Sequence, residues 1–590
     1  PYEQPRHRFH VQAARGELTL KPIADGLGQE VAWRCDVRPG EPAILEWRVP
    51  FVTLAESEEL RQLAGLNFDQ VMEHEAERWR RLIASAATIE VPEPLLNDFY
   101  KAQLANILIT ADRDPYTGWA VLPAGTYQYG VCVNESCHQI RSLEIRGLHG
   151  LAERYLAAIL DGQSSRALQG RFTSVEGVFH GLPTRHGDYQ QFNYNLDHGF
   201  ALWMLNEHYR FTRDRRWLMQ VADKLIAACD FITRERHTET EANTLGRGDR
   251  LWGEGLLPPG HLEDPPEWLW WFAVNAYAAR GMRMTAESLA EIEDPDAARI
   301  AVDAAEFDRC LRASCREAML RSPVVALRDG VHVPHQPTRS RSRHRDLGWI
   351  RDALYGAVHL IDCGIYEPDS PEAEWILRDT EDNVFISADR GRKLTDFDKQ
   401  WFSWGGITLQ SNLLPNPLIY LRRNQPKHAL RAFWNSLAAN VYEDVRVFAE
   451  HPIEAYGIGL GPFYKSPDES AFIVWLRHLL VMESGDELDL LAGVPAGWLA
   501  KGQVVTVRGA ATWFGPMDIE TRSEPDPRRV LVRLAAPERN PPKCIRLHIR
   551  VPAPIGAVTV NGQRLSTFDP GSGIITLPGN VGRADVVISY

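Results

Sequence analysis

Apolar and polar positions along this chain change rhythm twice. In residues 1–60 the apolar side chains come in short pieces, GELTLKPI, EVAWRCDV and AILEWRVPF, separated by Gly and Pro, which is the pattern of strands joined by turns. From Phe68 to Ala86 the run FDQVMEHEAERWRRLIASA spaces its apolar residues three and four apart among charges, which predicts an amphipathic connecting helix. Near the C-terminus VVTVRG, VLVRLAA, CIRLHIRVP, AVTVNGQRL, GIITLP and DVVISY alternate or run apolar between PG, NG and GSG turns, the pattern of a β-sandwich.

Between these ends the period is helical. Segments begin near Leu95, His138, Gly150, Asp197, Arg215, Trp268, Ala297, Asp346, Pro371, Gly406, Pro426 and Asp468, twelve in all. The second and third are separated at Gly147 and Gly150, because glycine is costly inside a helix and common just past its end. Connections then alternate, the long ones preceding every even-numbered helix. Six helical hairpins in a ring produce this alternation, with the long loops gathered on one face, and long loops inside a compact domain are usually functional. A helical repeat array would need a fixed-period repeat, and none is present. The chain therefore reads as mainly α, an (α/α)6 toroid between an N-terminal β-region and a C-terminal β-sandwich. The expected divisions are 1–65 (β-sandwich portion), 66–94 (helical linker), 95–485 (toroid) and 486–590 (C-terminal β-sandwich).

The net charge of −13 argues against non-specific binding to nucleic acid or an anionic membrane, so the expected partner is a small neutral or polar molecule, with a homodimer admitted. No apolar run reaches the roughly 20 residues of a membrane span, and PYEQPRHRFHV lacks the apolar core of a signal peptide, so a cytoplasmic location is expected. Eight cysteines in apolar settings read as reduced buried thiols. Cys132 and Cys137 lack a second ligand cluster at zinc spacing, and GIGLGP (457–462) lacks the strand-turn-helix setting of a nucleotide loop. No metal or cofactor is expected.

The long loops carry the candidate chemistry. In GLLPPGHLEDPPEWLWWF, Glu263 and Asp264 lie between proline pairs that fix φ and disfavour helix before them, giving a rigid approach to helix six. Trp268, Trp271 and Phe272 then share one face of that helix and read as core packing. Helix capping would account for Asp264 but not for both acids; a second pair, Asp468 and Glu469, opens helix twelve, where capping is again the alternative. Two carboxylates on opposite walls of one pocket can protonate a glycosidic oxygen and activate water. The other loops offer Tyr127, Tyr129, Asn134 and Glu135; then Glu176, His180, His186, Asn195, Asp197 and His198; then Asp396, Asp398, Lys399, Trp401 and Trp404. Aromatic platforms mixed with planar polar groups suit a sugar ring, which has C–H faces and hydroxyl edges. The run RSRSRHRD after Arg339, with Arg343 at its centre, reads as a solvated loop or as a receptor for a carboxylate or sulfate.

Together these loops resemble those of the six-hairpin glycosidase superfamily, the (α/α)6 toroids that include glucoamylases, disaccharide phosphorylases and toroid-type α-L-fucosidases. The resemblance runs from about Leu95 to Tyr590. LEDPPEWLWWF is similar to the turn bearing the general acid in the glucoamylase-like pattern, which implies Glu263, with Asp264 beside it. PDESAFIVW resembles the segment bearing the general base, which implies Glu469, with Asp468 as its substitute. YGVCVNES departs from the WD-type sugar-binding motif, so no sugar or linkage carries over. The implied activity is an exo-acting, inverting glycoside hydrolase on an oligosaccharide or glycoside, without cofactor. The rivals are an epimerase or lyase using His180, His186 or His198, and a glycan-binding protein without chemistry.

Overall fold

The computed structural model describes residues 9–23, 28–50, 54, 56–114, 117–126, 130–180, 194–238, 255–263, 267–327, 329–346, 355–386, 410–453, 458–500, 502–524 and 528–590. Pro1–Ser85 and Ala86–Tyr590 are separate compact units. In the first, Glu17–Pro22 pairs antiparallel with Gln29–Arg34, and His10–Ala13 with Leu45–Arg48. Two helices follow, α1 (Ser57–Gly65) and α2 (Phe68–Ser85). α1 opens with a reciprocal cap in which Glu56 and Glu59 exchange side-chain and backbone hydrogen bonds.

The second unit carries the helical series: α3 (Pro94–Thr110), α4 (Val133–Glu144), α5 (His149–Asp161), α6 (Leu196–Thr212), α7 (Arg215–Glu235) and α8 (Phe272–Glu291). It continues through α9 (Ala297–Arg321), α10 (Val358–Asp362), α11 (Pro371–Ile386), α12 (Asn416–Arg422), α13 (Pro426–Asn440) and α14 (Ser466–Leu480). α4, α6, α8, α10, α12 and α14 touch in that order, and α14 returns to α4, which closes a circuit. The remaining helices pack on members of that circuit: α5 on α4 and α6, α7 on α6 and α8, α13 on α12 and α14, α3 on α14.

Sequence decides the division of labour. In α7 the buried residues Trp217, Leu218, Val221, Ala222 and Leu225 recur three and four apart, as in a helix with one wet face. α14 is buried at every position from Ser466 to Leu480, as an interior helix must be. α6 and α8 approach so closely that a Cβ on Gly199 would lie 2.7 Å from the Ala278 nitrogen. Beside that contact Phe200 stacks on Tyr277 with ring centroids 3.9 Å apart, and Tyr355 stands edge-on to both. These three rings form one buried cluster beside the α6–α8 contact.

Long connections precede α4, α6, α8, α10, α12 and α14, and short ones follow them, as the sequence predicts. Four starts differ; the helix expected near Gly406, a position outside the described residues, is α12 and begins at Asn416. The helix expected from His138 begins at Val133, which draws Asn134 and Glu135 into its first turn. The one expected from Trp268 begins at Phe272, because Leu269 and Trp271 are held extended by bridges to Gly260 and Arg339. The one expected from Asp346 begins at Val358, because the Asp346 carboxylate is bound to the Thr338 N–H and to Arg339. The glycine-rich GIGLGP overlaps the strand Ile458–Phe463, paired with Val447–Ile453 ahead of α14.

α14 runs directly into Val481–Ser484, the edge of a five-stranded sheet completed by Glu487–Leu490, Cys544–His548, Ile574–Pro578 and Phe568–Asp569. A seven-stranded sheet takes its edge strand, Thr88–Glu90, from just before α3. The other strands of that sheet come from Val504–Ser589.

Candidate active site

The N-terminal end of α4 is the centre of the site. Asn134 is fully buried, and its backbone N–H donates to Asp197 Oδ1 (3.0 Å) at the start of α6. Its side-chain Nδ2 donates to Glu263 Oε1 (3.0 Å) and to Tyr355 Oη (3.0 Å). Glu263 reaches this point on a segment pinned along its length: Arg236 Nε donates to Gly255 O (2.7 Å), Leu257 N–H to Asn275 Oδ1 (2.8 Å), and Gly260 bridges both Gly170 and Leu269. The carboxyl is therefore held by backbone on one side and by the Asn134 amide on the other, and Glu263 is 7% exposed. Asp264 lies outside the described residues.

One residue along α4, Glu135 Oε1 accepts from Lys465 Nζ (2.9 Å) and from Asn412 Nδ2 (3.0 Å). Lys465, 2% exposed, also bonds Glu450 Oε1 (3.1 Å). Asp468 Oδ1 accepts from the Asn412 N–H (3.3 Å), and its Oδ2 is buried without a partner. Burial pushes the Glu135 carboxyl up from its ordinary value, with the Lys465 ammonium opposing; burial pushes Asp468 well up, and the negative charge of Glu135 adds to it. The register of the Val447–Ile453 hairpin shifts between Ala449 and His451, where Glu450 alone opposes Gly461 and Pro462, so the partner strand is bulged beside Glu450. Lys465 follows Tyr464 (φ 56°), and Tyr355 has φ 48°, so the residues beside Glu450 and Glu263 store left-handed backbone strain.

Glu469 points elsewhere. Its Oε1 accepts from the Phe448 N–H (2.9 Å) and its Oε2 from Asn106 Nδ2 (3.0 Å) of α3, with no surface exposed, and burial raises its pKa to about 7. Asp468 and Glu469 thus take opposite sides of the first turn of α14, one toward Glu135 and one toward α3.

His180 is buried with Nδ1 3.1 Å from Tyr194 O and 3.6 Å from Asp197 Oδ2. His198 lies in the core: its Nδ1 accepts from the Phe179 N–H (3.1 Å), its ring lies against Phe179 and Phe231, and burial lowers its pKa to about 3. Tyr127, Tyr129, His186, Trp401 and Trp404 lie outside the described residues. Most of the arginine run is committed to structure. Arg345 pairs with Asp379 (2.6 Å) and Asp382 (2.9 Å) of α11, Arg339 covers Trp271 and Arg341 covers Trp270; Arg343 is exposed. Trp268 is a correction: it stands outside α8 and is 54% exposed, while Trp270 and Trp271 are buried. The extended bridges between Gly260 and Leu269 and between Trp271 and Arg339 break the helical spacing that would have put Trp268 in the core.

Sequence reasoning missed Tyr355, Asn412, Glu450 and Lys465. The available signal was Lys465 itself, a few residues before the apolar run Ala471 to Leu476, since a buried ammonium requires carboxylate partners. Among the described residues no group of three or more His, Cys, Asp or Glu side chains is arranged to hold a metal ion, and no helix is long and apolar enough to cross a membrane.

No protein-family model and no curated protein matches the chain. Solved structures do. The α-L-rhamnosidase of Streptomyces avermitilis, complexed with L-rhamnose, aligns at TM-score 0.50 and 10% identity over 85% of this chain and 42% of its own. The α-L-rhamnosidase of Dictyoglumus thermophilum aligns at 0.46 and 10% over 86% and 50%, and a bacterial glucoamylase complexed with acarbose at 0.47 and 10% over 74% and 62%. The chain thus spans about half the length of these proteins, and it shares a fold with the Streptomyces avermitilis structure.

Proposed function

We propose that the chain is a glycoside hydrolase built on an (α/α)6 toroid with a C-terminal β-sandwich, releasing terminal sugars with inversion at the anomeric carbon. The observation that carries this reading is the pairing, through adjacent residues of α4, of a braced carboxyl at Glu263 with a lysine-bound carboxylate pair at Glu135 and Glu450. Glu263 is the general acid: it is buried and rigidly held, as a positioned proton donor must be. A glycan-binding protein without chemistry would leave Glu263 in an open groove or turned away, and it is neither.

For the general base this reading favours Glu450 over the expected Glu469. A base must be ionised and must reach water. Lys465 at 3.1 Å favours the Glu450 carboxylate, whose side chain keeps 12% exposure against 8% for Glu135, while Asp468 and Glu469 are wholly buried and Glu469 has both oxygens occupied by protein donors. Glu469 then braces the strand that carries Glu450. On this reading the site is a pit closed behind by Phe200, Tyr277 and Tyr355, which would suit exo action on a chain terminus. Asp197, His180 and Asp468 support the pit wall, and Arg343 is the arginine open to an acidic group on the substrate.

In the reaction a proton passes from Glu263 to the glycosidic oxygen, which leaves with the bonding pair. Water attacks the opposite face of the anomeric carbon and gives its proton to Glu450. The test is a panel of aryl and natural glycosides with wild type and three variants. Glu263→Gln and Glu450→Gln should lose about 10²- to 10⁴-fold in turnover, and Glu469→Gln should keep most of it. Near-wild-type turnover by Glu263→Gln would refute the acid. Loss confined to Glu469→Gln would return the base to that residue.

A further inference from the structure

We infer that Asn134 is a positioning residue that sets the acid strength of Glu263 and selects which of its oxygens carries the proton, an inference that rests on Glu263 being the general acid. The amide has no freedom of its own. Its backbone is tied to Asp197 at 3.0 Å, and its Nδ2 hydrogens are shared between two acceptors, Glu263 Oε1 and Tyr355 Oη, each at 3.0 Å. Tyr355 holds its end firmly: it is 2% exposed and its ring stands edge-on to Phe200 (6.1 Å) and Tyr277 (6.5 Å). Burial and the neighbouring Glu263 carboxylate push its phenol well up, so Tyr355 stays neutral.

With Oε1 occupied by an N–H donor, the transferable proton of Glu263 resides on Oε2. When it passes to the glycosidic oxygen, the C–O bond breaks toward that oxygen and Glu263 becomes a carboxylate. The Asn134 hydrogen bond then turns from neutral to charge-assisted and strengthens as the transition state is approached. The same donor favours the ionised form and opposes the pull of burial, which would otherwise make Glu263 too weak an acid to protonate a poor leaving group. A bland brace would hold Glu263 in place without touching its titration, and the two readings separate on pH and on leaving group.

The experiment measures kcat/KM against pH for wild type, Asn134→Ala and the similarly shaped Asn134→Leu, on a glycoside with an alkyl or sugar leaving group and on the corresponding glycosyl fluoride, which departs with little protonic help. Loss of the donor should move the alkaline limb, set by Glu263, upward by about one pH unit. It should cost about 10- to 100-fold on the poor leaving group and much less on the fluoride. An unmoved limb, or an equal loss on both substrates, overturns the inference. If Asn134→Ala fails to fold, Asn134→Leu carries the test alone, since it keeps the shape, cannot donate and adds no charge. Failure of the underlying reading looks different: Glu263→Gln would then turn over the poor leaving group as well as wild type does, whatever Asn134 variants do.

Discussion

A buried ammonium is tolerated only where carboxylates compensate it, and Lys465 has two within 3.1 Å, Glu135 and Glu450. Removing one partner of such a group leaves uncompensated charge of one sign. Lys465→Met should therefore cost about 3–5 kcal/mol of stability, measured by urea unfolding at neutral pH, and a change under 1 kcal/mol would show that the carboxylates do not depend on it. Glu469 gives a pH dependence. Burial raises its pKa from 4.5 to about 7, so across that window the folded chain holds a proton that the unfolded chain has released. Its contribution is full below about pH 4.5 and falls as pH rises to 7, by roughly 3 kcal/mol. Glu469→Gln, which has no such proton to lose, should show a flatter change in unfolding free energy between pH 5 and pH 8 than wild type. Parallel profiles would mean that Glu469 is ionised throughout, stabilised by the Phe448 and Asn106 donors.

At the scale of elements, what was legible followed from period and punctuation. All twelve helices of the second unit announce themselves by apolar spacing, and the glycines near 147–150 mark the break between α4 and α5. Their first turns were less legible. The bridges at Gly260, Leu269, Trp271 and Arg339 join segments distant in sequence, and no local pattern in EWLWWF reports them. This makes a stability prediction: Trp268→Ala should change unfolding free energy by less than about 0.5 kcal/mol, whereas Trp271→Ala should cost about 3–5 kcal/mol. Equal costs in thermal or urea denaturation would restore the helical face the sequence suggested. The strand Val447–Ile453 was hidden for another reason. Its partner is the glycine-rich Ile458–Phe463, which carries the extra residue opposite Glu450, and no local pattern reports that pairing. The arginine run looked free because its partners Asp379 and Asp382 lie on α11, a helix away.

Across the whole second unit, the alternation of long and short connections was enough to anticipate a closed circuit of helices with a long connection ahead of each of its members. The acid pairs before α8 and at the start of α14 marked where to look. What sequence could not give was the direction of each side chain within a turn. Asp468 and Glu469 are neighbours in the chain, yet one faces Lys465 and Glu135 while the other is bound by α3 and the hairpin strand. Nor could it show that Asn134, a residue of the first turn of α4, joins Glu263 to Tyr355. The account stands or falls on the chemistry of the site as a unit: water delivered to one face of a sugar while Glu263 protonates the other. The most direct test is to follow cleavage of an accepted glycoside in ¹⁸O-labelled water by NMR and mass spectrometry within the first turnovers. The account predicts that the label enters the anomeric hydroxyl and that the first-formed sugar has the configuration opposite to the substrate. An unsaturated or isomerised sugar without label would contradict it.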